Sequence, residues 1–120
     1  DMNTIALMDF GGATANFFVS TVSEPMQKVD IIGSAGTITV PVPFNIYVDK
    51  PSSIIVSTPQ GTREVTFAIA DSYGLMFEAF ADAILNSNPV PTPLEDVVAN
   101  MKVIDAVVKS AETKEWAEVR

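Results

Sequence analysis

This chain of 120 residues lacks the two side-chain types that most often serve as general base, nucleophile or transition-metal ligand. Histidine and cysteine are both absent, so the commonest general base near neutral pH and every thiolate are missing. Two carboxylate pairs are close enough in sequence to work as acid and base, Glu78 with Asp82 and Glu95 with Asp96. Tyr73 adds a hydroxyl that a substrate can contact. A self-contained enzyme built from this sequence would depend on Asp, Glu, Lys or Tyr side chains.

Each of these groups also has an ordinary structural role. Glu78 and Asp82 are four residues apart, which places them on one solvated side of a predicted helix. Glu95 and Asp96 fall in a predicted first helical turn, where the helix dipole favours negative charge. Tyr73 begins an apolar helical stripe. We therefore predict no catalytic residue and no metal ligand in this chain, and we keep Tyr73 as the one candidate substrate contact.

The bulk composition indicates a folded protein. Apolar residues make up 48% of the chain and charged residues 18%, which favours a packed core over disorder. The length fits one domain over residues 1–120. With 15 acidic and 7 basic side chains the net charge is -8, so the surface repels phosphate backbones and we expect no nucleic-acid partner.

Membrane insertion is not indicated either. There is no run of about 18 apolar residues, and the start, Asp1-Met2-Asn3-Thr4, lacks the basic and apolar regions of a signal peptide. We expect a cytoplasmic protein that makes no membrane contact. Because the chain opens directly into Ile5-Ala6-Leu7-Met8, we also expect it to be a piece of something longer.

The first part of the chain, to about Ala70, has the pattern of antiparallel strands. Stretches rich in β-branched and aromatic residues alternate with glycine turns. They predict three hairpins joined by short turns, hence a mostly antiparallel open sheet. The predicted strands are Thr4–Phe10, Ala13–Val22, Gln27–Ile32, Thr37–Val40, Ile54–Thr58 and Arg63–Ala68, and Trp116–Val119 alternates like a last short strand.

Two amphipathic helices follow. The first carries large apolar groups at helical spacing and can be capped by Asp71 or Ser72, and it should end at Asn86-Ser87-Asn88-Pro89. The second has a Thr92-x-x-Glu95 capping box and ion pairs of Asp105 with Lys102 and Lys109. Apolar stripes need a surface to cover, so we predict an α+β fold with both helices packed on one sheet face. The stripes are Tyr73, Phe77, Phe80 and Ile84, and Leu94, Val97 or Val98, Met101, Ile104 and Val108.

No dinucleotide-binding fingerprint is present in the sequence. A G-x-G-x-x-G that follows a strand and opens a helix is absent. Gly11-Gly12 and Gly33-x-x-Gly36 lie between predicted strands, so neither provides the helix N-terminus that binds phosphate. We therefore expect the chain itself to bind no dinucleotide.

The order of several short motifs resembles the second domain of the glucose–fructose oxidoreductase/inositol dehydrogenase (Gfo/Idh/MocA) family. The resemblance runs from about Ile5 to Val119. No single motif is specific, but their order and spacing together are. They are Val29-Asp30-Ile31-Ile32-Gly33-Ser34-Ala35-Gly36-Thr37-Ile38 with Pro43-Phe44, then Tyr73-x-x-Met76-x-Glu78-Ala79-Phe80-Ala81-Asp82-Ala83-Ile84, Pro91-x-Pro93-Leu94-Glu95-Asp96, Ala99-Asn100-Met101-Lys102-Val103-Ile104-Asp105-Ala106 and Ser110-Ala111.

The resemblance implies a function for a longer parent protein. Members begin with a Rossmann domain that binds NAD or NADP. Their second domain, an open sheet with helices on one face, forms part of a sugar or polyol cleft and commonly carries the subunit contacts. The family's catalytic Glu-Lys-Pro and Asp-x-x-x-His segments are missing here, since Glu24-Pro25 lacks the lysine and no histidine exists. Where members often place glycine after the last helix, this chain has Glu112-Thr113-Lys114.

The leading hypothesis is therefore a C-terminal domain of an NAD(P)-dependent oxidoreductase that is inactive by itself. It would pair with an N-terminal Rossmann domain and form a homodimer or larger homo-oligomer through the sheet. An alternative is a non-enzymatic module whose sheet pairs with another copy, since an uncovered sheet face or edge seeks a partner. The remaining alternative, a small acidic enzyme using Glu78, Asp82 and Tyr73, is less favoured because structural roles already account for those residues.

Overall fold

The computed structural model describes residues 2–120 as a strand-rich part followed by a helical part. The predicted α+β class, with antiparallel strands and two helices, is confirmed. The strands form a two-stranded and a four-stranded sheet. The elements are β1 (Asn3–Asp9), β2 (Thr14–Ser20), β3 (Val29–Gly33), β4 (Gly36–Val40), β5 (Ser52–Thr58), β6 (Gly61–Phe67), α1 (Ser72–Asn86) and α2 (Leu94–Thr113).

The chain divides into two compact units. The first joins the stretch that ends at Glu24 to Pro89–Arg120, and the second is Pro25–Asn88. Proximity within each unit does not require that the two units fold independently. The expectation of one domain therefore stays a prediction.

The first unit contains the hairpin of β1 and β2. Its register runs from Asn3 opposite Ser20 to Asp9 opposite Thr14. Gly11 turns the chain with a φ of 75°, and its N–H donates to Oδ1 of Asp9 at 2.8 Å. The hairpin predicted around Gly11-Gly12 is confirmed, with β1 displaced by one residue toward the N-terminus and β2 three residues shorter than the pattern indicates.

The start of α2 differs from the sequence prediction. The helix begins at Leu94, so Pro93 stands at the N-cap and no side chain caps the helix. Thr92 lies one residue too far from the first turn to accept its N–H groups. The predicted capping box is therefore wrong, because it depends on the helix starting one residue earlier. The backbone carbonyl of Pro93 instead accepts from the Asp96 N–H at 3.1 Å.

The end of α2 is made without glycine. Lys114 takes the left-handed conformation at φ 62°, and its N–H donates to the Ser110 carbonyl at 2.9 Å. Glycine is the usual residue at this position because a Cβ disfavours positive φ. The helix thus ends at Thr113, with a lysine instead of a glycine in the left-handed position.

Two predictions about this unit's surface are wrong. Trp116–Val119 forms no strand, because alternation of side chains is not sufficient without a partner strand to supply hydrogen bonds. Asp105 forms no ion pair with Lys102 or Lys109. Among residues 2–120 the ion pairs are Lys28–Asp30 and Arg120–Glu118. Exposed pairs gain little energy and lose side-chain entropy, so helical spacing alone does not form them.

The second unit contains the sheet β3-β4-β5-β6, antiparallel throughout. Because side chains alternate along each strand, the register assigns every residue to one of two faces. One face is mostly apolar, with Val29, Ile31, Ile38, Val40, Ile54, Val56, Val65 and Phe67. The other face, which we call the hydroxyl face, carries Asp30, Ile32, Thr37, Thr39, Ser53, Ile55, Ser57, Thr62, Glu64 and Thr66.

The helix of the second unit, α1, begins and ends as predicted. Asp71 is the N-cap, and Ser87 at the C-cap is left-handed with φ 53°.

The predicted burial of the apolar stripe of α1 is not found, however. The members of the stripe are each more than half exposed, and Ala83 is the one buried apolar residue of the described chain. The predicted stripe of α2 is also about half exposed or more, whereas Val103, Ala106 and Val107 of the same helix are half-buried. Within residues 2–120, neither helix packs extensively on the strands of its own unit.

Candidate functional site

Tyr73 occupies the first turn of α1 at a firmly capped helix start. Oδ1 of Asp71 accepts hydrogen bonds from the backbone N–H groups of Tyr73 and Gly74, both at 3.1 Å. These two bonds satisfy groups that a helix otherwise leaves unpaired. The Tyr73 side chain is 64% exposed. The backbone at Tyr73 is therefore fixed while its side chain stays accessible to a ligand.

Asp82 is engaged in holding the end of α1 rather than free for proton transfer. Its Oδ1 accepts from Nδ2 of Asn86 at 2.6 Å, and its Oδ2 accepts from Nδ2 of Asn88 at 2.8 Å. Both amides stabilise the charged carboxylate, Asn88 more than Asn86, and so lower the pKa of Asp82. A carboxylate with both oxygens occupied and a lowered pKa is a weak base, which leaves Asp82 in a structural role.

The remaining acidic candidates do not converge on a site. Glu95 and Asp96 lie in the first turn of α2, as their predicted structural role requires. Glu78 lies on α1 and is exposed. Within residues 2–120, no three acidic side chains are arranged to hold a metal ion.

A polar cluster on the hydroxyl face was not identified from the sequence. Asp30 on β3 receives a hydrogen bond from Thr39 Oγ1 at 2.6 Å and forms an ion pair with Lys28 Nζ at 2.8 Å. Lys28 is the largest cause of its lowered pKa and Thr39 the next. The signal was available in the alternation of polar residues along β3 and β4. The cluster can be recognised only once the register places Asp30 opposite Thr39.

The glycine-rich turns join strands and do not open a helix. Gly11-Gly12 joins β1 to β2, and Gly33 pairs with Gly36 across the β3–β4 turn. A pyrophosphate needs a glycine turn that opens a helix. The helices of residues 2–120 begin instead after Asp71 and Pro93, without such a turn.

Two concavities are present in the second unit. A shallow one of about 350 Å³ lies at the β3–β4 and β5–β6 turns and includes Gly36 and Pro59. The other, of about 220 Å³, is formed by the segment between β4 and β5 and the start of β5. Tyr73 lines neither of them. Tyr73 therefore lies apart from these two concavities.

No helix within residues 2–120 has the length and apolar character required to span a bilayer.

Comparison with known proteins connects these features to a family. Residues 2–119 match the family model described as "Oxidoreductase family, C-terminal alpha/beta domain". The chain is also 35% identical over 128 residues to a protein of Rhizobium meliloti named "Uncharacterized oxidoreductase ORF334". That alignment covers 99% of this chain, which spans 37% of the length of the relative. No solved structure gave a significant match. The motif order of the sequence, the α+β fold and the family match over nearly the whole chain agree, and the chain belongs to the Gfo/Idh/MocA oxidoreductase family as its C-terminal alpha/beta domain.

Proposed function

We propose that this chain is the substrate-side and assembly part of an NAD(P)-dependent oxidoreductase that acts on a sugar, polyol or related carbohydrate. The observation that carries the proposal is the family match from residue 2 to residue 119. In the parent protein an N-terminal Rossmann domain binds NAD or NADP, and this part forms one wall of the substrate cleft. The exposed apolar stripe of α1 supports the proposal, because such a surface is suited to contact with another domain or subunit.

By itself the chain binds no dinucleotide and catalyses no reaction. Supporting this, its sequence has no dinucleotide fingerprint, no histidine, and no lysine between Glu24 and Pro25. The test is titration of NADH and NADPH into the chain, followed by fluorescence and calorimetry. We expect no saturable binding, and micromolar affinity for either nucleotide would contradict the proposal.

The substrate class is tested on the parent protein. Reduction of NAD or NADP is measured with aldoses, cyclic polyols and simple primary alcohols at equal concentrations. We expect turnover with at least one of the polyhydroxylated compounds and none with ethanol. If the parent binds the nucleotide but oxidises only simple alcohols, the proposed carbohydrate substrate is wrong.

Tyr73 is the residue proposed to contact the substrate. Its hydroxyl is on a well-anchored backbone, which limits the entropy lost when it binds a ligand. In the parent, Tyr73→Phe should raise KM with a smaller change in kcat. Tyr47→Phe is the matched control, since Tyr47 is also exposed but lies between β4 and β5. Equal KM values for wild type and Tyr73→Phe would exclude a hydroxyl contact.

The four-stranded sheet is the proposed subunit contact. Ile32 is 80% exposed on the hydroxyl face and Ile31 is 57% exposed on the apolar face, so adjacent residues report on opposite faces. Light scattering after size-exclusion chromatography should show a dimer or larger species, which Ile31→Asp or Ile32→Asp should dissociate. A monomer at high concentration, or an oligomer that both variants retain, would contradict the assignment. An oligomer whose parent shows no oxidoreductase activity would favour the non-enzymatic module.

A further inference from the structure

The segment between β4 and β5 is held in place more firmly than its lack of regular structure suggests. Oε1 of Gln27 accepts hydrogen bonds from the backbone N–H groups of Phe44 at 3.0 Å and Asn45 at 3.1 Å. Three prolines, Pro41, Pro43 and Pro51, restrict the backbone further. This anchoring matters because a loop that is already ordered loses less entropy when it binds a ligand.

The anchored segment encloses the smaller concavity of the second unit, which we call the Lys50 pocket. Its lining includes Val42 and Ile46, both half-buried, together with Tyr47 and Lys50 and the half-buried Ser52 and Ser53 at the start of β5. Its volume of about 220 Å³ is below the range of about 300–1,000 Å³ found for drug-sized ligands. Mostly apolar walls with a few polar groups are typical of small-molecule sites. The pocket therefore fits a small organic molecule.

The positive charge of Lys50 determines which class of small molecule the pocket suits. Lys50 Nζ lies 5.0 Å from the centroid of the Tyr47 ring, a cation–π geometry. The ion pairs of residues 2–120 involve Lys28 and Arg120, so Lys50 Nζ is more than 4.0 Å from every described carboxylate oxygen, including those of its neighbour Asp49. The ammonium group thus remains available to pair with an anion from outside the chain.

We propose that the Lys50 pocket binds a small organic carboxylate with an apolar body. A single ammonium group beside mostly apolar walls matches one carboxylate, whereas phosphate sites usually gather several donors. The apolar body packs against Val42, Ile46 and the Tyr47 ring. The proposal rests on the second unit alone and is independent of the proposed oxidoreductase function.

Benzoate is a suitable probe, and NMR titration of the ¹⁵N-labelled chain is the test. We expect saturable shifts confined to amides from about residue 42 to residue 53. Benzyl alcohol and benzylammonium have similar bodies without the negative charge, and we expect both to bind at least about tenfold more weakly. Binding as strong as that of benzoate by either control overturns the proposal, because it would show adsorption of the ring alone. Shifts without saturation, or shifts elsewhere on the chain, also overturn it.

Substitutions of Lys50 test whether its positive charge contributes to benzoate binding. Lys50→Gln should weaken benzoate binding about tenfold, and Lys50→Arg should retain most of it, since arginine keeps the positive charge. Lys109→Gln, on α2, removes the same charge elsewhere and should leave the affinity unchanged. Unchanged affinity in Lys50→Gln overturns the proposal. If that variant does not fold, the comparison of the three probes on the unmodified chain still decides the matter.

Discussion

The backbone carbonyl oxygen of Ser57 occupies the space in which a side chain on Gly36 would begin. Gly36 opens β4 with φ 152°, a conformation that residues with a side chain rarely adopt, and β5 passes directly beside it. A Cβ at this position would also lie 3.2 Å from Thr58 Cγ2. The close approach of β4 and β5 at this end of the sheet therefore depends on glycine.

Gly36→Ala should destabilise the protein strongly. The backbone conformation costs about 1–3 kcal/mol for a residue with a side chain, and the overlap with β5 costs about 1–3 kcal/mol more. Gly12→Ala is the control, because a Cβ there meets nothing within 4 Å and φ is not positive. Urea unfolding followed by circular dichroism measures both. Equal midpoints for the two variants would mean that the sheet adjusts freely at Gly36.

The two helices should respond differently to loss of the residue predicted to cap them. Asp71→Ala removes the acceptor of two backbone N–H groups and should lower the free energy of unfolding by about 1 kcal/mol. Thr92→Ala should change it by less than about 0.5 kcal/mol, because no side chain caps α2. Thermal and urea unfolding of the two variants provides the comparison. A larger loss of unfolding free energy in Thr92→Ala than in Asp71→Ala would show that the capping box forms in solution.

Lys114→Gly should stabilise the end of α2. Left-handed geometry costs a residue with a Cβ about 1–2 kcal/mol, and the greater freedom of glycine in the unfolded chain offsets part of the gain. We expect a net stabilisation of about 0.5–1 kcal/mol relative to Lys114→Ala, which loses the same charge but keeps a Cβ. The measurement is the difference in urea midpoint between the two variants. Stabilities in the reverse order would show that the helix does not end at Thr113.

The carboxylate of Asp82 should titrate below the ordinary aspartate range. Asn88→Ala removes the larger cause of its lowered pKa and Asn86→Ala the smaller, so both should raise the pKa, Asn88→Ala by more. Carboxyl ¹³C NMR measures these values directly. Identical titration in wild type and both variants would show that the amides do not hold this carboxylate in solution.

The same group predicts a pH dependence of stability. Because its folded pKa is lowered, Asp82 contributes stability that is fully present above the unfolded pKa of about 4 and is lost as the pH falls through the lower folded value. Asp82→Asn should therefore lose less stability than wild type on acidification across that window. Asp30, whose pKa is also lowered, should account for part of the acid sensitivity that remains.

Local signals in the sequence predict the elements well and their boundaries less well. Asp71 caps α1, and glycine turns join the strands of the hairpins, because these features depend on residues close together in the chain. The prediction that Thr92 caps α2 is wrong. Its capping role depends on a one-residue choice of helix start that local propensity does not determine.

The candidate site was predicted only in its local part. The sequence indicates that Tyr73 starts a helix and that Asp82 lies on a solvated side, and both are found there. The bond from Asn86 to Asp82 follows the i, i+4 spacing of a helix. Only the folded helix end shows that Asn88 occupies the other oxygen of Asp82, since Asn88 follows the left-handed turn at Ser87. Tyr73 as a substrate contact stays a prediction, as do the cofactor, the substrate and the oligomer.

By itself, the sequence determined the family, the α+β class and the order of strands and helices, because glycine turns, β-branched runs and helical periodicity are short-range properties. Tertiary structure decided the register of the hairpins and the pairing of β4 with β5, and hence that Asp30 meets Thr39 and that Ser57 closes on Gly36. It also decided that the stripe from Tyr73 to Ile84 remains exposed. Periodicity indicates that a surface is apolar, but what covers that surface depends on residues distant in the chain or outside it.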